Sequence, residues 1–282
     1  MPSSKLAKWL PGREIRERRL KRKLSQTDIG RLVSRTYQTA AKWERGEKCP
    51  DPNQMYRLAD QLGMDAELKS YMMQIAENEH EQNFQADRRF NALCLSMAER
   101  SNGEIFKWET HLIPGIAQTR AYHFDFVKVA SNGTDEQANR GWAFKKDRQE
   151  ALLRRTDNPQ VTLLIAAPAL DSLCHLTKAA RAEQIDRLGE LDSRLNWQIR
   201  IIDSFFPEGA NAFDIYKPGG ADFGSPPFVY TEVWDVSWCI EEAERIARYD
   251  ELWQILWGKS IPLREFLDDR RDRLAQEQPQ RS

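Results

Sequence analysis

Hydrophobic residues recur at helical spacing through the first quarter of the chain. Ile29, Leu32 and Val33 share one face of a predicted helix from about Gln26 to Val33, with Ser25 as N-cap and Asp28 in capping-box position. Thr36 is a second N-cap and opens a helix to about Trp43. Gly46 stands at its C′ position, with Arg45 beside the negative helix end. Gly30 has no side chain, so these two helices can approach closely. Before them, Met1–Leu10 reads as a loose basic arm. Pro11–Gly12 reads as a break, followed by a helix to about Lys23 with Ile15 and Leu20 inward. After them, Met55, Leu58, Ala59 and Leu62 form the apolar stripe of a helix over Asp51–Leu62, which Gly63 ends. Asp65 caps a fifth helix, Ala66 to about Ala76.

The pattern then changes. Glu77–Asp87 is polar and acidic, and predicts a helical connector running into Arg88–Arg100, where Phe90, Leu93, Leu95 and Met97 are apolar. Beyond the Ser101-Asn-Gly turn, strands are predicted at Glu104–Thr110, Val161–Ala166, Trp197–Ile202 and Phe228–Val233, with a short segment at Phe213–Tyr216. Helices are predicted from Thr119 through Tyr122 and Phe126, and over Gly141–Arg155, Ala179–Leu195, Cys239–Trp257 and Pro262–Leu274. Gly209, Gly219–Gly220 and Gly224 punctuate the short segments. The expected fold class is mainly α with a smaller α+β C-terminal part, its small sheet mostly antiparallel. The expected division is a five-helix domain at 1–80, a connector at 81–100, a mixed α+β domain at 101–275 and a tail at 276–282.

A chain of 282 residues, 40% hydrophobic and 10% aromatic, is long enough for two domains with real cores. The net charge of −1 is unevenly spread. Residues 1–50 hold 14 Lys/Arg against 5 Asp/Glu, or +9, so the remainder carries −10. A basic head on an acidic body is expected where only the head meets phosphate. The four cysteines (Cys49, Cys94, Cys174, Cys239) form no CxxC pair, and His80, His111, His123 and His175 have no ligand spacing. Neither a metal, a cofactor nor a disulfide framework is expected, and buried thiols in a reducing cytosol are the default. No run approaches a membrane span and no apolar signal region opens the chain, so a cytoplasmic location is expected.

Two short helices joined by a tight turn are the helix-turn-helix arrangement, whose second helix enters the DNA major groove. The stretch LSQTDIGRLVSRTYQTAAKWERG, Leu24 to Gly46, resembles the phage-repressor-like (Cro/C1, XRE-type) helix-turn-helix family without a gap. Leu24, Ser25, Gln26, Ile29, Gly30, Thr36, Glu44 and Gly46 fit its pattern or replace it conservatively. Ser34 departs where Gly makes the turn, Arg35 where an apolar residue is usual, and Ala40 where Ile or Val packs. The resemblance implies a lambda-repressor-like domain in which Arg19 pairs with Glu44. It also implies that Gln26, opening the first of the two helices, bonds a backbone phosphate. On the recognition helix, Tyr37, Gln38 and Lys42 hold the positions that reach DNA, flanked by Thr36 and Thr39, while Ala40 and Trp43 face inward. Gln38 suits adenine and Lys42 guanine. One such helix reads too few base pairs for a genome, so a homodimer on double-stranded DNA is expected.

The rest of the chain carries a second resemblance. Trp108–Glu109, Leu112–Thr119 (LIPGIAQT), Arg148–Gln149, Ala167–Leu170 and Val229–Glu232 follow the order of motifs in small actinobacterial regulators. Those regulators, similar to WhiJ-like and antitoxin-like factors, join an XRE-type head to a C-terminal domain of unknown function. They are often encoded beside a small partner protein, which implies a partner here. Two functions compete for this domain. As a sensory or interaction module, it would bind a ligand or partner through Trp108, Glu109, Gln118, Arg148 or Glu232. As an enzyme, it would need a constellation, and no HExxH, GxSxG, Walker loop or Cys–His signature is present. Glu109, His111 and Glu232 are only scattered polar candidates, so the expectation is a DNA-binding regulator without catalysis.

Overall fold

The computed structural model describes residues 4–78, 86–204, 206, 211–233 and 236–276. Met1–Ser3 of the expected arm, the polar segment 79–85 with His80, Gly209, Trp234 and the tail beyond Gln276 lie outside them. The chain divides into two compact units. One comprises residues 1–102 and 216–246, the other residues 103–215 and 247–282.

The first unit begins with α1, Lys5–Lys21, and this corrects the expected arm and break. Ser4 caps the helix through its side chain, which accepts from the Ala7 N–H, and Pro11 lies inside it. An interior proline costs about 3 kcal/mol. Leu6, Leu10 and Trp9 are all buried, and each such leucine stabilises by roughly 1.5–3 kcal/mol, so burial outweighs the defect. Leu20, expected inward, is 51% exposed. α2 (Gln26–Leu32), α3 (Tyr37–Glu44), α4 (Pro52–Gln61) and α5 (Ala66–Glu77) follow. Asp51–Gln54 forms a capping box, Asp65 caps α5, and Gly63 takes φ 66° after α4. α5 ends at the cap Asn78, and α6 (Arg88–Ser101) starts from a new N-cap, Asp87.

In the second unit, β1 (Glu104–Glu109) leads to a 3-10 turn at Gly115–Ala117 and then α7 (Arg120–Tyr122). A π-helical stretch, His123–Val127, and α8 (Lys128–Ala130) continue it. Next come α9 (Asp135–Leu153), β2 (Gln160–Ala166), α10 (Ala167–Asp171), α11 (Lys178–Asp192), β3 (Trp197–Ile202) and β4 (Phe213–Lys217). The first unit adds β5 (Phe228–Glu232) and β6 (Ser237–Ile240). α12 (Ala243–Lys259), β7 (Ile261–Pro262) and α13 (Leu263–Gln276) close the chain.

The core of the sheet is parallel, against the antiparallel expectation. β1 pairs β2 with Ile105 opposite Val161, and β2 pairs β3 with Leu163 opposite Ile199. Parallel neighbours need long crossovers, and α7–α9 and α11 supply them. β2 is buried from Val161 through Ile165, as a parallel strand covered on both faces should be. In the second unit the strand order is β4-β1-β2-β3-β7, with β7 antiparallel to β3. β5 and β6 pair antiparallel, Tyr230 opposite Cys239. Cys239 was expected to open a helix. It lies instead in β6, where Ser237 and Cys239 are buried and Trp238 is exposed, a period of two.

Candidate nucleic-acid interface

The α2–α3 pair is built by local bonds. Ser25 and Asp28 form a reciprocal capping box: the Asp28 N–H donates to Ser25 Oγ at 3.1 Å, and the Ser25 N–H donates to Asp28 Oδ2 at 2.8 Å. Ser34 makes the turn at φ 55°, the left-handed region that glycine occupies without penalty. The Arg35 N–H then donates to Gly30 O at 2.8 Å. A Cβ on Gly30 would sit 2.6 Å from the Arg35 carbonyl oxygen, so only glycine permits this crossing. Thr36 has N-cap backbone geometry but makes no side-chain cap bond. Its hydroxyl lies 3.3 Å from that of Thr39.

α3 is two-faced. Ala40, Trp43 and Glu44 are buried. Tyr37, Gln38 and Lys42 are exposed, Thr39 is half-buried, and Arg31, Arg35, Arg45 and Lys48 stand exposed nearby in the chain. The C-terminal end of α3 is locked from behind. Arg19 forks onto Glu44, Nε to Oε1 at 2.5 Å and Nη2 to Oε2 at 3.0 Å. Gln26 Nε2 donates to Glu44 Oε2 at 2.9 Å, and Arg16 Nη1 lies 3.7 Å from the same oxygen. The Gln26 amide therefore spends one N–H on the fold of the motif, and its NH2 group carries two.

In the second unit, the Leu112–Thr119 segment is held by side chains from two helices. Gln149 Nε2 on α9 donates to the carbonyls of Gly115 and Gln118, at 2.8 and 3.0 Å. Gln184 on α11 accepts from the Thr119 N–H and donates to the Ala117 carbonyl. Gln118 donates to Ile113 O and accepts from Lys145 Nζ at 2.6 Å. Lys145 Nζ is also 3.1 Å from His123 Nδ1, while His123 Nε2 faces Ala138 O at 2.9 Å. That network assigns the proton to Nε2 and leaves Nδ1 to accept from the ammonium. Burial first, and Lys145 as well, lower the His123 pKa, although the Ala138 carbonyl opposes them.

Comparison with known families places these two regions. The helix-turn-helix family matches residues 15–68, and a family described as a domain of unknown function (DUF5753) matches residues 94–266. The chain belongs to the DUF5753 family. Its N-terminal match makes it a DUF5753 protein with a DNA-binding head of the XRE type. No curated protein and no solved structure matches the chain.

Within the DUF5753 region, the polar residues singled out by sequence separate. Gln118 joins a cluster with His123, Lys145, Gln149 and Gln184. Trp108 is buried in β1, and Arg148 is buried with its guanidinium over the Phe144 ring. Glu109 is half-buried, and exposed His111 pairs with its neighbour Thr110 at 2.8 Å. Glu232 is exposed, accepts from Tyr230 at 2.9 Å, and belongs to the other compact unit. Ala167 opens α10. Of the cysteines, Cys94 and Cys239 are buried, Cys49 is half-buried and Cys174 is exposed. Among the described residues, no helix is long and apolar enough to cross a membrane, and no group of three or more His, Cys, Asp or Glu is placed for a metal ion. Sequence reasoning missed His123, Lys145 and Gln184 in the turn. The spacing of Lys145 and Gln149, four residues apart on one helix, was the available signal.

Proposed function

We propose that the protein is a transcription regulator that reads double-stranded DNA through α3, binding as a homodimer in the cytoplasm. The carrying observation is the division of α3 into a buried, ion-paired back and a front on which Tyr37, Gln38 and Lys42 are exposed and Thr39 half-buried. Side chains on such a front reach base edges, and the N-cap Thr36 and the first residue of α2, Gln26, lie where phosphates pass. Residues 1–80 are then the reader, 81–100 a connector and 101–275 the regulatory part. The regulatory part binds a ligand or a small partner protein. In support, the sequence lacks any catalytic spacing, and Gln118 lies in a dense polar network on a turn. Selection of duplexes from a random pool tests the reading. The expected product is a site with two half-sites about one helical turn apart. Recovery of unrelated sequences would refute it.

A further inference from the structure

Phe223 lies within the DUF5753 match, in the segment 216–246 that belongs to the same compact unit as the helix-turn-helix. Three residues of α1 touch it. The Arg16 guanidinium carbon sits 3.6 Å from the ring centroid, and that of Arg13 sits 5.7 Å away. Trp9 Nε1 donates to the Phe223 carbonyl at 3.4 Å. On its other side, α1 meets the end of α3. A Cβ on Gly12 would lie 1.8 Å from the Trp43 carbonyl oxygen, and one on Gly46 would lie 2.9 Å from the Trp9 Cα. Arg16 spans both sides, with the ring at one face and Glu44 at its edge.

We propose that Phe223 is a positioning residue for DNA recognition, acting through Arg16 on Glu44. This rests on the reading of α3 as the DNA reader. The physical argument is one of charge. Glu44 is fully buried and faces two guanidinium groups and the Gln26 amide. A cation over an aromatic face is attracted by the ring quadrupole, more strongly when partly desolvated. The ring therefore holds Arg16 against a carboxylate that cannot reach water. Without it, Arg16 gains by turning to solvent, and Glu44 keeps Arg19 and Gln26 alone. Gln26 opens α2 and Glu44 closes α3, so their bond sets how the two helices stand. A loop of the DUF5753 region thereby bears on the recognition helix.

The test uses the full chain and the duplex that the wild type selects. F223Y keeps the aromatic face, whereas F223L keeps apolar bulk without it. F223Y is expected to bind like wild type, and F223L roughly three- to tenfold more weakly. R16Q should lose a similar factor, and the double variant R16Q/F223L no more than R16Q alone. The Gln26 side-chain amide resonance, read without DNA, should move in F223L and R16Q and stay in F223Y. Wild-type binding by F223L, multiplied losses in the double variant, or an unmoved Gln26 signal would overturn the proposal. If F223L fails to fold, R16Q against F223Y carries the same comparison. If the wild type selects no duplex, the DNA reading fails, and the Gln26 signal still decides whether Phe223 positions the motif.

Discussion

The α-carbon of Gly12 abuts the backbone carbonyl of Trp43, so closely that an added Cβ would lie 1.8 Å from the oxygen. α1 and α3 thus touch backbone to side-chain-free backbone, and the end of the recognition helix rests on the first helix. Gly12→Ala would gain about 1 kcal/mol of helix propensity. The collision is with backbone, which cannot rotate away, and overpacking of this kind costs roughly 1–3 kcal/mol or more. A net loss in denaturant midpoint is expected. Unchanged stability would mean that the helices are not in contact here.

Gln38→Ala should weaken binding to the selected duplex by roughly 1–3 kcal/mol and relax the preference at one base position. Gln26→Ala should weaken both selected and scrambled duplexes, since on the proposed reading it removes a phosphate contact, and the selected one more, since it also removes the bond to Glu44 that ties α2 to α3. Titrations of both variants against both duplexes check this. An unchanged specificity ratio in Gln38→Ala removes it as a base reader.

The charge of +9 over residues 1–50 predicts steep salt dependence. Each phosphate neutralised contributes about −0.9 to the slope of log affinity against log salt. Binding measured between low and physiological salt should fall at least tenfold. A flat response would exclude phosphate contacts as the basis of affinity.

Lys107 on β1 and Asp214 on β4 form a buried pair at 2.5 Å. Removing one member takes its ionic partner from the other's buried charge, at a cost of up to roughly 3–5 kcal/mol. Lys107→Met should therefore unfold at much lower urea than wild type. The double variant Lys107→Met/Asp214→Leu should recover most of that loss. Equal instability of the two would show that the pair's charges are not the issue.

Burial disfavours the charged form of His123 and holds its pKa below the ordinary histidine value of 6.5. The unfolded chain therefore binds the proton more readily than the folded one. Stability should be fully present above pH 6.5 and decline as pH falls from there. His123→Gln should flatten this decline in melts between about pH 5 and 8. A wild-type curve equally flat would mean that protonation costs the fold nothing here.

Local signals determined the head of the protein from sequence alone. Capping residues at Ser25 and Asp65, glycines at 30, 46 and 63, and the period of Ile29, Leu32 and Val33 act within a turn or two of helix. Such interactions are complete within the stretch that encodes them. The front and back of α3 followed from the resemblance of Leu24–Gly46 to the helix-turn-helix family. Tertiary structure decided everything whose energy comes from distant partners. Pro11 argued for a break, yet burial of Leu6, Trp9 and Leu10 carries the helix through it. Cys239 fitted a helical pattern, yet pairing with Tyr230 makes it a strand. The strands of the sheet core were legible one by one. Their parallel direction depends on how the crossover helices pack, which no run of six residues encodes. Phe223 is separated from Arg16 by most of the chain, and only the fold brings an aromatic face to a charge that far away.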